Sequence, residues 1–482
     1  MWCERPVPHP NLHNVTLYQY VREKKTRDFR SMRKSIVCTL AVVMVALCAE
    51  AQPKRTTEWA YENVAPRRTE FITYSTRNLA EKGDRTAERY YVNLEYRLVN
   101  AEAVESDKGT PCVQRNYEVD LPIAWRDRDV FLHVEGGAAE RAIYVNGKRV
   151  GASRDDRTPS EFLISPYLGD GVTKIALVSP VEPDLRPAEM VAPNPTEVLY
   201  LYSQPPVRID DVIVCAVPDE GGKHGVLQID VVVSSSRRDE PLSVGYDIYS
   251  PEKELKYYDL REIEVPYGQT DTVHFRTNIY GAMERLWSAE SPKLYDVTIY
   301  TKRGRIMTEY LNIKVGFGKT TYDGEHIYRN GKPIDIRPVR YNSATTRKQT
   351  EADIKHFKAE KYNTIYVSYP QPWWFYDICD SVGIYVVEQA NINTDAKGGD
   401  VSRRGSLTNN PLWLDEFLER QKATYYRTRI HPCIIAWSLG APSGGGYNMY
   451  KCYEWFKSVE SERPVVYRDG DWNTDITLPN ER

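Results

Sequence analysis

Glu388 follows an apolar run at Ile384–Val387. A carboxyl at the C-terminal end of a strand can serve as a general acid or base. The competing role is a hydrogen-bonded carboxylate held by its neighbours, and that is the expected one. Asp469 and Asp471 flank Gly470 just after a second apolar run, Pro464–Tyr467. Two carboxyls so close could share proton transfer, but Asp-Gly-Asp is also ordinary turn chemistry, and a turn is expected. Trp373 and Trp374 could stack on a sugar ring and so bind substrate, or Trp374 could anchor the helix that follows; both readings stay open. Asp155, Asp156 and Arg157 could contact a polar ligand, but a solvated charged loop is expected. His431, before Pro432 at a strand start, is expected to be structural. No C-x-x-C occurs, so neither a zinc site nor a disulfide framework is indicated. Cys379, Cys433 and Cys452 sit in apolar patterns and are expected as core thiols.

These groups need elements to hold them. Between about 88 and 200, short strands alternate with turns. Val130, Leu132 and Val134 alternate with Phe131, His133 and Glu135, a period of two. Ala142–Val145 runs into Asn146-Gly147, a hairpin turn, and another strand follows at Lys174–Ser179. This predicts an antiparallel sandwich. Strands at Val207–Val214, Val226–Val233, Leu242–Tyr249, Thr272–Thr277, Tyr295–Thr301 and Tyr310–Val315 predict an immunoglobulin-like sandwich of six or seven strands. Beyond about 327 the period changes. Apolar runs at Asp335–Val339, Asn363–Ser368, Ile384–Val387, Cys433–Leu439 and Pro464–Tyr467 alternate with helical patterns at Thr350–Tyr362 and Pro411–Ile430. Strand–helix alternation means a parallel sheet, here of about five strands.

Composition bounds the class. The chain has 482 residues, with 64 Lys+Arg against 67 Asp+Glu, a formal charge of −3. Without a basic surplus, a nucleic-acid partner is excluded. Apolar residues at 41% support a packed core, and 35 Tyr against 10 Phe suit half-buried strand faces. Met32-Arg33-Lys34, the apolar run Ile36–Leu47 and Ala49-Glu50-Ala51 have the order of a signal peptide, with Gln52 the mature start. The expectation is export to a periplasmic or extracellular location, with either Met1 or Met32 as the start codon. That run is short of the ~20 residues that span a bilayer, and no other apolar stretch approaches it, so no membrane span is expected in the mature chain.

Several local stretches resemble glycoside hydrolase family 2, in particular its β-galactosidase branch. Tyr144-Val145-Asn146-Gly147-Lys148-Arg149-Val150-Gly151, Pro159-Ser160-Glu161-Phe162 and Pro166-Tyr167-Leu168 resemble its sugar-binding domain. Leu286-Trp287-Ser288-Ala289-Glu290-Ser291-Pro292-Lys293-Leu294-Tyr295 resembles its immunoglobulin-like domain. Val315-Gly316-Phe317 and Asn330-Gly331-Lys332-Pro333 resemble the lead-in to its barrel. Tyr385-Val386-Val387-Glu388-Gln389-Ala390-Asn391-Ile392, His431-Pro432 and Trp437-Ser438-Leu439-Gly440 resemble barrel strands three and four. The resemblance implies a multidomain β plus α/β fold: upstream extension and signal peptide at 1–51, jelly-roll β-sandwich at 52–204, immunoglobulin-like β-sandwich at 205–317, and an incomplete (β/α)8 TIM barrel at 318–482.

The resemblance also implies what is lost. Such enzymes work with two carboxyls ~5–5.5 Å apart, one the acid/base and one the nucleophile. The family's strand four ends Ser-Leu-Gly-Asn-Glu-Ser-Gly, and its Glu is the acid/base. Here Ser438-Leu439-Gly440-Ala441-Pro442-Ser443-Gly444 puts proline at that position. The metal-binding Glu of strand three is Asn393, a metal-linked His is Gly445, and the His after strands one and two is missing from Arg340-Tyr341-Asn342-Ser343 and Ser368-Tyr369-Pro370. The family's magnesium and sodium site reads as lost, and no cofactor is expected. The family's nucleophile lies on strand seven, to which no residue here corresponds. Asn391 is the carried-over substrate contact. The expected protein is an exported family 2 pseudoenzyme that could keep carbohydrate binding, form a homo-oligomer or pair with a complementing barrel half. The alternative is an active retaining glycosidase for β-galactosides or related glycans, using relocated carboxylates or that second half.

Overall fold

Alternating apolar residues and tight turns build the first sandwich. The computed structural model describes residues 60–182, 197–236, 240–342, 344–394, 405–470 and 472–481, all within the unit Thr56–Arg482. The expected leader and Asp471 lie outside the described residues. After a short helix α1 (Arg77–Lys82) come β1 (Tyr91–Asn93), β2 (Leu98–Glu105), β3 (Pro111–Val119), β4 (Asp129–Glu135), β5 (Arg141–Val145), β6 (Lys148–Ser153), β7 (Ser160–Leu163), β8 (Thr173–Pro180) and β9 (Val198–Gln204). They form two sheets, β1-β9-β4-β7 and β2-β3-β8-β5-β6. Val130, Leu132 and Val134 meet Ile143, Val145 and Phe162 between them. The β5–β6 turn places Asn146 at φ 49° and Gly147 at φ 76°, the left-handed pair that such a hairpin needs. Every residue of β4 is buried, although its alternation suggests one wet face. The second face carries Phe131, His133 and Glu135, and is covered by residues 68–74 and by a barrel helix.

The second sandwich pairs β10 (Val207–Pro218), β11 (Gly225–Ser235) and β14 (Thr270–Ile279) against β12 (Glu240–Tyr249), β13 (Leu255–Val265), β15 (Tyr295–Arg303) and β16 (Ile306–Val315). In this sandwich β13 is the strand that periodicity missed. Its sequence, Leu-Lys-Tyr-Tyr-Asp-Leu-Arg-Glu-Ile-Glu-Val, lies at a sheet edge and is mostly exposed, so it shows no apolar alternation.

A small antiparallel sheet of β17 (Thr320–Tyr322), β18 (Ile327–Arg329) and β19 (Lys332–Pro333) precedes the barrel strands. Five parallel strands follow in consecutive order: β20 (Pro338–Tyr341), β21 (Thr364–Val367), β22 (Tyr385–Gln389), β23 (Ile434–Ser438) and β24 (Val465–Val466). The helices between them are α2 (Arg347–Ala359), α3 (Trp373–Val382), α4 (Leu414–Thr428) and α5 (Tyr447–Val459). Among the described residues the sheet does not close, so the barrel is incomplete. The first strand falls three residues later than expected, and α2 starts at Arg347 because the Thr346 hydroxyl caps the Gln349 N–H at 3.2 Å. Pro411–Trp413 form a 3-10 turn, so α4 begins at Leu414.

The second sandwich meets the barrel at Trp287, which is fully buried. Its indole N–H donates to the Asp380 carbonyl at 2.9 Å. A Cβ on Gly316 would lie 2.8 Å from Trp287 Cβ and 2.9 Å from Pro432 Cγ. Gly316→Ala is therefore expected to cost about 1–3 kcal/mol by overpacking this seam, read as a lower urea midpoint with unchanged m-value.

Candidate active site

Parallel register sets which side chains face the barrel interior. Arg340 pairs with Tyr366, Tyr366 with Val387, Val387 with Ala436, and Gln389 with Ser438. The alternate residues face the helices: Tyr341 stacks on Phe375 of α3, and Trp437 packs on Phe456 of α5. At the C-terminal end the inner face carries amides and hydroxyls. Gln389 Nε2 donates to the Ser368 carbonyl at 2.6 Å, Ser438 Oγ donates to Gln389 Oε1 at 3.2 Å, and Ser368 Oγ donates to Asn342 Oδ1 at 2.7 Å.

Glu388 lies on the other side of the sheet. Its register partner is Trp437, and its Oε1 accepts from the Tyr376 hydroxyl of α3 at 2.8 Å. It is fully buried, and Oε2 has no hydrogen-bond partner among the described residues. Burial pushes its pKa up to about 8, despite the Tyr376 bond and the Arg427 charge that pull it down. The folded state thus holds a proton that the unfolded chain releases near pH 4.5, so this carboxyl costs stability as pH rises from about 4.5 to 8. Glu388→Gln should remove that cost. Urea unfolding should show the variant gaining on the native chain by a few kcal/mol, order of magnitude, between pH 5 and pH 8.

The strand-four loop is held firmly. Ala441 N–H donates to the Ile392 carbonyl at 2.8 Å, Ser443 N–H to the Tyr467 hydroxyl at 3.1 Å, and Gly444 N–H to Asp469 Oδ2 at 2.8 Å. Pro442 sits within this frame, half-buried. Asp469 is exposed and serves as an acceptor for the loop backbone. The segment after β24 turns back over the inner face: the Tyr366 hydroxyl donates to the Pro479 carbonyl at 3.0 Å, and Arg340 Nε to Glu481 Oε2 at 3.0 Å.

Asn391 is fully buried and committed to the first sandwich. Its Nδ2 donates to Asp155 Oδ1 at 2.5 Å and Asp156 Oδ1 at 3.3 Å. The expectation of a solvated loop at Asp155–Arg157 is overturned: Asp155 is 0% exposed, Asp156 4% and Arg157 7%. The reason is Arg420 of α4, also buried, which lies 3.9 Å from Asp155, 3.1 Å from Glu416, and donates to the Asn391 and Arg154 carbonyls. Burial opposes ionisation of Asp155, yet Arg420, Thr158 and Asn391 hold its carboxyl below the usual range. Sequence reasoning missed Arg420. Glu416, Arg420, Ala423 and Arg427 form a stripe opposite Phe417 and Tyr425 that reads as a solvent face.

Trp373 does not meet the inner face. It is the first residue of α3, under the Arg85 guanidinium at 4.1 Å from its ring centre, and lines a cavity of about 270 Å³ shared with both sandwiches. Trp374 packs against the barrel core. His431 Nδ1 pairs with Asp380 Oδ2 at 2.6 Å beside the buried Cys433. Cys379 and Cys452 are buried too.

Two sandwiches followed by a βα sheet make a multidomain β plus α/β fold. Three sequence models match in chain order: Glycosyl hydrolases family 2, sugar binding domain over residues 75–183; Glycosyl hydrolases family 2 over 207–317; and Glycosyl hydrolases family 2, TIM barrel domain over 324–479. The chain belongs to glycosyl hydrolases family 2, on its β-galactosidase-like side. A β-galactosidase of Streptococcus thermophilus is 31% identical over 384 residues, 73% of this chain and 36% of that protein. A β-galactosidase of Pectobacterium atrosepticum is 30% identical over 418 residues, 81% and 39%. The chain thus spans well under half the length of these relatives. A Bacteroides uniformis β-glucuronidase structure shares the fold with TM-score 0.64 at 20% identity, over 74% of this chain and 46% of that one. A family 2 member from Bacteroides cellulosilyticus gives 0.61 at 15%, over 74% and 49%.

Proposed function

We propose that this chain is an exported, catalytically inactive member of the family, keeping its scaffold and a capacity to bind carbohydrate or a partner chain. The observation that carries the reading is Pro442. A pyrrolidine ring has no titratable group, so no rotamer or pKa shift can return proton transfer to that position. The replacements that the alternative needs are poorly placed. Glu388 faces the helices and bonds Tyr376, and Asp469 is exposed and accepts from the Gly444 N–H of the strand-four loop. The family's metal does not fit either. Asn393 and Gly445 offer an amide and no side chain, where Mg²⁺ prefers carboxylates.

Purified chain should release no nitrophenol above blank from nitrophenyl β-galactoside, β-glucuronide or β-mannoside. Turnover that vanishes in Glu388→Gln would overturn the proposal. A second reading, assembly with a separately encoded barrel half, draws on the outer edges of β20 and β24, which pair with no further strand among the described residues. In that case a fragment supplying further barrel strands should restore turnover on mixing.

A further inference from the structure

His133 and Glu135 lie two apart on β4, so both point to the same side, and residues 68–74 bring Glu70 to meet them. One ligand atom from each of the three lies within 4.8 Å of the others. Each side chain has one polar atom already fixed. Glu70 Oε2 accepts from Arg427 Nε, Glu135 Oε1 from Arg427 Nη2 at 3.4 Å, and His133 Nδ1 pairs with Glu161 Oε1 at 3.1 Å. Two of the remaining atoms have no hydrogen bond, and the third makes only a long ion pair. His133 Nε2 and Glu70 Oε1 are buried with no hydrogen-bond partner among the described residues. Glu135 Oε2 stands 3.8 Å from His133 Nε2, too long for a hydrogen bond. The side chains of His133, Glu70 and Glu135 are 1%, 8% and 8% exposed.

We propose that Glu70, His133 and Glu135 form a binding site for a divalent transition ion of the zinc, cobalt or manganese type. Burying an imidazole nitrogen and a carboxylate oxygen without partners is costly, and an ion at their meeting point satisfies both. Glu161 behind His133 fixes the ring's orientation, as a carboxylate behind a metal-bound histidine does. The ring also stacks on Tyr200 at 4.2 Å, which prevents it from turning away. One nitrogen and two oxygens suit a borderline ion; calcium would need six to eight oxygens. The cavity that Trp373 lines also reaches Glu70 and Arg427. The ion would tie residues 68–74 to β4, with Arg427 extending the link to α4. It would be held whether or not the chain hydrolyses a glycoside.

Chelator-treated full chain titrated with Co²⁺ should develop visible d–d bands that saturate at one ion per chain, with no thiolate charge-transfer band in the near ultraviolet. Glu70→Gln keeps the side chain's shape and its bond to Arg427, and should weaken Co²⁺ and Zn²⁺ by at least ~10-fold. Zn²⁺ should raise the melting midpoint of the native chain and not of that variant. His133→Gln is the second variant; if it fails to fold, the isosteric Glu70→Gln carries the test. Absence of the bands in excess Co²⁺, a thiolate band, or equal affinity in native chain and Glu70→Gln would each overturn the site.

Discussion

Arg420→Ala should lower the unfolding free energy by about 3–5 kcal/mol, the cost of leaving buried charges without their partner. The guanidinium is 2% exposed and stands between Asp155 and Glu416, themselves 0% and 6% exposed. It also satisfies the carbonyls of Asn391 and Arg154, one from the barrel and one from the first sandwich. The substitution takes the guanidinium from two carboxylates and two carbonyls at once, leaving Asp155 the hydrogen bonds of Asn391 and Thr158 and Glu416 only Arg154 at 3.5 Å. Arg420→Lys keeps a charge but loses the fork that reaches all four, and should fall between the two. The pH dependence separates this from simple loss of packing. In the native chain Asp155 ionises below its ordinary range, so its contribution is present above the unfolded pKa and is lost as pH falls through the folded one. Without Arg420 that carboxyl should protonate more readily. The stability gap between native chain and variant should then narrow from pH 7 towards pH 4, as urea titrations at both values would show.

The sandwiches and the strand–helix alternation were legible because apolar residues repeat with a period of two or close to four, and because Asn146-Gly147 marks its turn. β13 was not, since an exposed edge strand buries too little to impose a pattern. The site was legible only as chemistry. Pro442 can be read from the chain alone, because no fold gives proline a proton to transfer. The side of the sheet on which Glu388 lies could not be read so. Every residue of β22 is buried, so both faces are hidden from solvent and hydrophobicity cannot tell them apart; register decides it. Asp155–Arg157 and Arg420 failed for a related reason. A charged loop and a charged helical stripe each look wet in isolation, and their burial exists only where they face one another.

The largest expected effect is on catalysis. General acid catalysis is typically worth ~10²–10⁴-fold, and it matters most for sugar or alkoxide leaving groups that need a proton. A dinitrophenolate leaves without one, so an activated substrate reports the nucleophile alone. Turnover in a preparation can also come from a contaminating enzyme, whereas a covalent adduct belongs to the chain that carries it. The central claim is therefore tested most directly by intact mass after exposure to the 2,4-dinitrophenyl 2-deoxy-2-fluoro-β-galactoside and the corresponding glucuronide. The account predicts an unchanged mass with both reagents; a single glycosyl adduct mapping to a carboxylate of this chain would contradict it.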